Sequence, residues 1–269
     1  MLRTVSASLM LALLGTVCLS ETLSAQEETV VHRQAHAHND YLHDRPLLDA
    51  LDNGFCSVEA DVFLVDGQLL VAHSRAELSP ERTLQGLYLE PLRTRVRKHA
   101  GSVHGDGLPI TLLIDFKADG EATYQALEAI LAEYSEMITS IEAGKTKTRA
   151  VNVIISGDRP IDAMVKDPLR FAGVDGRLSD LGSQQPPHLM PLISDNWRNH
   201  FRWKGQGEIP SAEYEKLKDF VDRCHAQGRL IRFWGTPDTK AAWEVLQRSK
   251  VDFINTDDLP GLNAFLRQR

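Results

Sequence analysis

Glu59 and Asp61 stand in a largely apolar run, Phe55-Cys-Ser-Val-Glu-Ala-Asp-Val-Phe-Leu-Val65, which is an expensive place for charge. Strand side chains alternate, so both carboxylates leave one face while Val58, Ala60, Val62 and Leu64 occupy the other. Two acids on neighbouring positions of one face repel each other. A cation between them removes the repulsion, and an all-oxygen ligand set suits Mg²⁺ or Ca²⁺. Asp66-Gly67 marks a turn, and Leu69–Ala72 is a second short apolar run that delivers His73. The unit therefore offers two metal ligands and one proton carrier. The competing reading is an edge strand whose Glu59 and Asp61 simply face water.

The elements that must position these residues form a regular succession. Short strands are expected over 30–35, 55–65, 69–72, 108–116, 151–155, 171–174, 189–194, 230–234 and 251–254. Helical spacing appears between them at 45–52, 84–99, 121–138, 161–165, 211–227, 239–248 and 259–266. About eight strand-and-helix units without an internal linker predict a single TIM-type (β/α)8 barrel of the α/β class. A doubly wound open sheet is the alternative, disfavoured because no Gly-rich phosphate loop follows a strand. His36, Glu59, Asp61, Asp115, Lys117, Asp195, Asn255 and Asp257 all fall at strand C-terminal ends. In a barrel those ends share one mouth, which argues against unrelated surface acids.

With 269 residues, 42% of them hydrophobic, the chain can bury a full core, and a formal charge of −7 argues against a nucleic-acid partner. A small-molecule or lipid-derived substrate held by local charge is expected instead. Arg3, an apolar segment from Leu9 to Leu19 and a polar stretch to Gln26 read as a secretory signal peptide over residues 1–25, leaving the barrel at 26–269. The apolar segment is too short for a stable membrane span, so the expected destination is secreted or periplasmic. Cys56 and Cys224 then remain, read as buried free thiols, and no cysteine zinc site is possible.

The order His36-x-x-Asn39, Glu59-x-Asp61, Asp66-Gly67, His73 and Asp115-x-Lys117 resembles the superfamily that joins glycerophosphodiester phosphodiesterases, PI-specific phospholipase C-like enzymes and sphingomyelinase D. The start His36-Ala-His-Asn-Asp-Tyr41 is similar to its PI-PLC-like branch. The resemblance implies a phosphoric diester hydrolase with one Mg²⁺ or Ca²⁺ on Glu59, Asp61 and Asp115. It also implies His36 and His73 as the acid/base pair and Lys117 as a phosphate contact. Glycerophosphodiester enzymes usually carry Arg-Gly after the first catalytic histidine, where this chain has Ala37-His38. The choice between His36 and His38 thus stays open, with the spacing to Asn39 favouring His36.

Asn39 is placed to orient that histidine or reach the metal, and Trp234 and Arg232, ending a late strand, to line the substrate pocket. Asp195, Asn196 and Trp197 are weaker candidates for substrate contacts. Two rival functions remain. A metal-dependent amidohydrolase would hold zinc on His36 and His38. A catalytically silent secreted barrel would bind a phosphorylated ligand without turning it over.

Overall fold

The computed structural model describes residues 29–268. In chain order the elements are β1 (His32–Ala37), α1 (Leu48–Asp52), β2 (Phe55–Val65), β3 (Gln68–Val71), α2 (Glu90–Lys98), β4 (Ile110–Phe116) and α3 (Gly120–Ala132). There follow β5 (Ser140–Glu142), β6 (Lys145–Lys147), β7 (Val151–Gly157), α4 (Ile161–Lys166), β8 (Leu169–Arg170), β9 (Ala172–Gly176), β10 (Leu192–Asn196) and α5 (Trp197–His200). The chain closes with α6 (Ser211–Ala226), β11 (Leu230–Trp234), α7 (Lys240–Arg248), β12 (Ile254–Thr256) and α8 (Leu259–Arg267).

Parallel pairing runs in the order β11-β10-β9-β7-β4-β2-β1-β12. The two ends meet through a bridge between Arg232 and Phe253 and through the Asp252 N–H, which donates to the Ile231 carbonyl at 3.1 Å. The result is a nearly closed eight-stranded barrel of the expected TIM type, not an open sheet.

Alternation along the strands explains its two cores. Val58, Ala60 and Val62 of β2, with Leu112, Ile114 and Phe116 of β4, point outward and are buried under the helices. Leu113, Ile154, Leu192 and Phe253 form a separate apolar cluster from inward-facing positions, filling the barrel interior. Toward the strand C-termini the interior becomes polar, with Ser57, Glu59, Ser156, Asp175, Ser194 and Arg232 all buried. Burying that many polar groups is tolerable only where they pair with one another, and they do.

β2 outruns the barrel. Its far end pairs antiparallel with β3 from Val62↔Val71 to Val65↔Gln68, and the hairpin turns on Asp66 and Gly67, both at positive φ (49° and 78°). Elsewhere the expected helix over 121–138 ends at Ala132, because Met137 and Ile138 are pulled into pairing with Val151. A small antiparallel sheet, β6-β5-β8, went unforeseen. Lys145-Thr-Lys147 is wholly exposed and carries no apolar alternation to betray a strand.

Candidate active site

In the register between β2 and β4, Asp61 stands opposite Asp115. Glu59, Asp61 and Asp115 each offer one oxygen within 4.8 Å of the others. Asp61 is fully buried, and its Oδ1 has no hydrogen-bond partner. An orphaned carboxylate oxygen facing two further acids fits a hard cation. Lys117 lies against the same group, its Nζ 2.7 Å from Asp61 Oδ2 and 3.1 Å from Asp115 Oδ1. Burial raises the Asp115 pKa; Lys117 opposes this, and the charges of Asp61 and Glu59 reinforce it. A crowded carboxylate of this kind gains most from a divalent ion.

Glu59 sits deeper. Burial disfavours its charge, yet the Arg232 guanidinium, 2.6 Å from Oε2, and contact with His36 hold its pKa well below the usual carboxylate range. Arg232 Nη1 also donates to His36 Nε2, which leaves the His36 Nδ1–H for Ser57 Oγ at 2.7 Å. Burial first, and then Arg232, lower the His36 pKa to about 4. His36 is 0% exposed and does not line the cavity that His38 faces. Its sealed, neutral ring braces Arg232 and Glu59, so the preference for His36 over His38 as proton carrier is at odds with its placement.

His38, one strand repeat further out, does face the cavity. Its Nδ1 lies 2.8 Å from Asp257 Oδ1, just beyond β12. Burial works against the charged imidazole, but the bond to Asp257 and the field of Glu59 outweigh it, and the His38 pKa is raised. Asn39 stands beside this pair at left-handed φ (49°), its Nδ2 2.9 Å from His38 Nδ1 and 3.3 Å from Asp257 Oδ1.

His73 stands on the opposite side, 61% exposed, with Nδ1 3.0 Å from Asp61 Oδ2. A local box fixes its loop. Glu77 Oε2 accepts from the backbone N–H groups of His73 and Ser74, at 3.0 and 3.1 Å. Tyr41 joins the two sides, its hydroxyl 2.6 Å from Asp61 Oδ2, 2.9 Å from Asn39 Oδ1 and 3.0 Å from His73 Nδ1. Burial and Asp61 both raise the phenol's pKa, so it stays a hydrogen-bond donor.

His38, Asn39, Glu59, His73, Asp115, Lys117 and Arg232 line a cavity of about 260 Å³ that also takes in Ser156, Arg177 and Trp234. Arg177 lies over the Trp234 ring at 4.9 Å and donates to the fully buried Asp175 at 2.9 Å. The structure thus brings together His38, Asn39, Glu59, His73, Asp115, Lys117 and Trp234, with Asp61 directly beneath. It does not bring in Asp195 or Asn196. Asp195 meets His200 at 3.3 Å, and Asn196 caps α5 by accepting from the Arg198 N–H. Asp257, Tyr41, Arg177 and Ser156 were not foreseen in these roles, although Tyr41 closes the His36–Tyr41 segment and Asp257 was placed at a strand end. Among the described residues the one metal-suited cluster is the acidic one, and neither His36 nor His38 joins it.

Residues 25–105 match the AIM6-like phosphodiesterase domain. Over 268 residues the chain is 30% identical to altered inheritance of mitochondria protein 6 of Eremothecium gossypii, spanning 86% of this chain and 69% of that one. The chain belongs to this family. The family member of Saccharomyces cerevisiae is 29% identical over 86% of this chain and 69% of its own length. The homolog from Arthroderma benhamiae is 27% identical over 88% and 84%.

Among solved structures, the fold is similar to a glycerophosphodiester phosphodiesterase from Parabacteroides distasonis (TM-score 0.50, 16% identity, 87% of this chain and 97% of that one). It is also similar to a calcium-dependent phosphoinositol-specific phospholipase C from Pseudomonas sp. (TM-score 0.54, 13% identity, 84% and 88%). Family and fold together support a phosphodiesterase fold. They also correct one expectation. The relatives are named for the inheritance of mitochondria, which points away from a secreted or periplasmic destination. The expected signal peptide, residues 1–25, lies outside the described residues.

Proposed function

We propose that this chain is a divalent-metal-dependent phosphodiesterase for a small-molecule or lipid phosphodiester, with His38 and His73 as its proton carriers. One observation carries the reading: two imidazoles, each tied to a carboxylate, flank a cavity that also holds the acidic cluster. The matched phosphodiesterase domain and the two neighbouring folds support it.

Glu59, Asp61 and Asp115 would hold one Mg²⁺ or Ca²⁺; the phospholipase C neighbour is calcium-dependent by name. When bound, such an ion stabilises negative charge accumulating on the non-bridging phosphate oxygens. The chain's own groups do the rest. Lys117 adds a fixed positive charge to the same wall of the cavity. With Nδ1–H committed to Asp257, His38 presents Nε2 to the substrate, and His73 does the same with Nδ1 on Asp61. One imidazole takes the proton of the attacking hydroxyl and the other protonates the departing alkoxide, which is a poor leaving group without it. Asn39 Nδ2 donates to Asp257 and so steadies the carboxylate that orients His38, while the Tyr41 hydroxyl lies against His73 Nδ1. Arg177 and Trp234 wall the side where the head group enters.

The test is turnover of bis-p-nitrophenyl phosphate and a lysophospholipid panel with Mg²⁺ or Ca²⁺, set beside His38→Ala and His73→Ala and followed by phosphorus NMR. Metal-dependent cleavage lost in both variants is expected, and a cyclic phosphate would identify a substrate hydroxyl as attacker. Wild type as inert as both variants, with either ion, would refute the reading.

A further inference from the structure

Trp197-Arg-Asn-His-Phe-Arg-Trp-Lys204 alternates aromatic and basic residues directly after β10, on the rim that carries the cavity. The aromatic side chains point inward. Trp197, Phe201 and Trp203 are buried, whereas Arg198, Arg202 and Lys204 are exposed. The segment is stiffly built. Trp197 stacks on Phe201 with centroids 4.0 Å apart, and its Nε1 donates to the Trp203 carbonyl at 3.1 Å. Glu213 accepts from the backbone N–H groups of Arg202 and Trp203, which ties the segment to α6. None of the three exposed cations forms an ion pair among the described residues, although the chain as a whole carries −7. Their side chains border a groove of about 700 Å³ that reaches Gly235, the residue after cavity-lining Trp234. On the same rim, in the turn Asp40–Leu42 that follows β1, Leu42 is 67% exposed.

We infer that this rim docks on an anionic lipid surface, with Arg198, Arg202 and Lys204 facing the head groups and Leu42, after β1, as an apolar contact on the same rim. Three cations without ion pairs, carried on one stiff backbone segment of an acidic protein, orient it as well as attract it. Gly235 on the groove and Trp234 on the cavity are consecutive residues, so a surface held at the groove lies on the same rim as the mouth that His38 and His73 line. The inference takes the mouth as the substrate entrance, as proposed above, but docking is measured without turnover, so either idea can fail alone.

The experiment is co-sedimentation of the full chain with phosphatidylcholine vesicles, with and without roughly one-third phosphatidylserine. Wild type is compared with Arg198→Ala/Arg202→Ala/Lys204→Ala and with Leu42→Ser. All share the same N-terminal residues, so differences read the rim alone, and melting temperatures check that each variant folds. Each cation near an anionic surface is worth roughly a fivefold gain in partitioning, so the triple variant should bind anionic vesicles roughly a hundredfold more weakly. Leu42→Ser should lose less, and ~1 M salt should abolish the difference by screening. Equal partitioning of wild type and triple variant into anionic vesicles overturns the inference. So does salt-sensitive retention on an RNA oligonucleotide with no vesicle binding.

Discussion

His38 Nδ1 and Asp257 Oδ1 lie 2.8 Å apart although they are 219 positions apart in the chain, and the contact forms because β1 pairs with β12, the last strand. A carboxylate on Nδ1 fixes the tautomer that leaves Nε2 for the substrate and favours the imidazolium. In Asp257→Asn that support is gone. The sign follows from the raised His38 pKa: removing the carboxylate lets the pKa fall, so the limb of the pH–kcat/KM profile due to His38 moves to lower pH. The maximum rate should drop by roughly 10- to 100-fold. A limb that stays in place would deny Asp257 this part.

His36 and His38 should separate cleanly. His38→Ala removes the proposed proton carrier on the cavity side, and should cost roughly 10²- to 10⁴-fold in kcat with little change in melting temperature. His36→Ala empties a fully buried position and strips Arg232 and Glu59 of a partner, so destabilisation of about 2–4 kcal/mol is expected in urea titration. Activity lost with stability intact in His36→Ala would restore His36 as the proton carrier.

That distinction shows where the sequence ran out. β2 appears over the span its residues suggested, Phe55–Val65, because alternation and the Asp66-Gly67 turn are local signals. Period two also put His36 and His38 on one face. It says nothing of depth: β1 runs to Ala37, two residues beyond its expected end, so His36 sinks beneath Glu59 while His38 reaches the cavity. Asp257 carried no local mark of its partner, since that contact exists only once the last strand pairs with the first. Arg177 was equally silent. It follows β9 and acquires meaning from Trp234, which lies far along the chain.

The acidic cluster should respond to metal even without substrate. A ligand that binds only the folded state stabilises by RT ln(1 + [L]/Kd), about 2.7 kcal/mol at a hundredfold excess over Kd. Calorimetric melting with added Mg²⁺ or Ca²⁺ should therefore rise by several degrees, and a chelator should reverse it. Asp61→Asn, which neutralises the ligand whose Oδ1 lacks a partner, should abolish the response. Equal rises in wild type and variant would place the ion elsewhere.

Glu128, far from the cavity, supplies a test of the fold's electrostatics. Its carboxylate accepts the Phe171 N–H at 2.8 Å, but burial dominates and pushes its pKa up to about 7, with Asp167 adding to the rise. A carboxyl whose folded pKa exceeds its unfolded value near 4.5 favours folding at low pH. That contribution fades as pH climbs from about 4.5 through 7, where the buried group must ionise. Glu128→Gln keeps an acceptor for Phe171 and removes the ionisation. The variant should match wild type near pH 4.5 and exceed it by roughly 1–3 kcal/mol at pH 8, read from urea titrations at both values. Parallel stability–pH curves for the two proteins would mean that Glu128 stays ionised in the fold, held by the amides of Phe171 and Ala172 more strongly than burial opposes it.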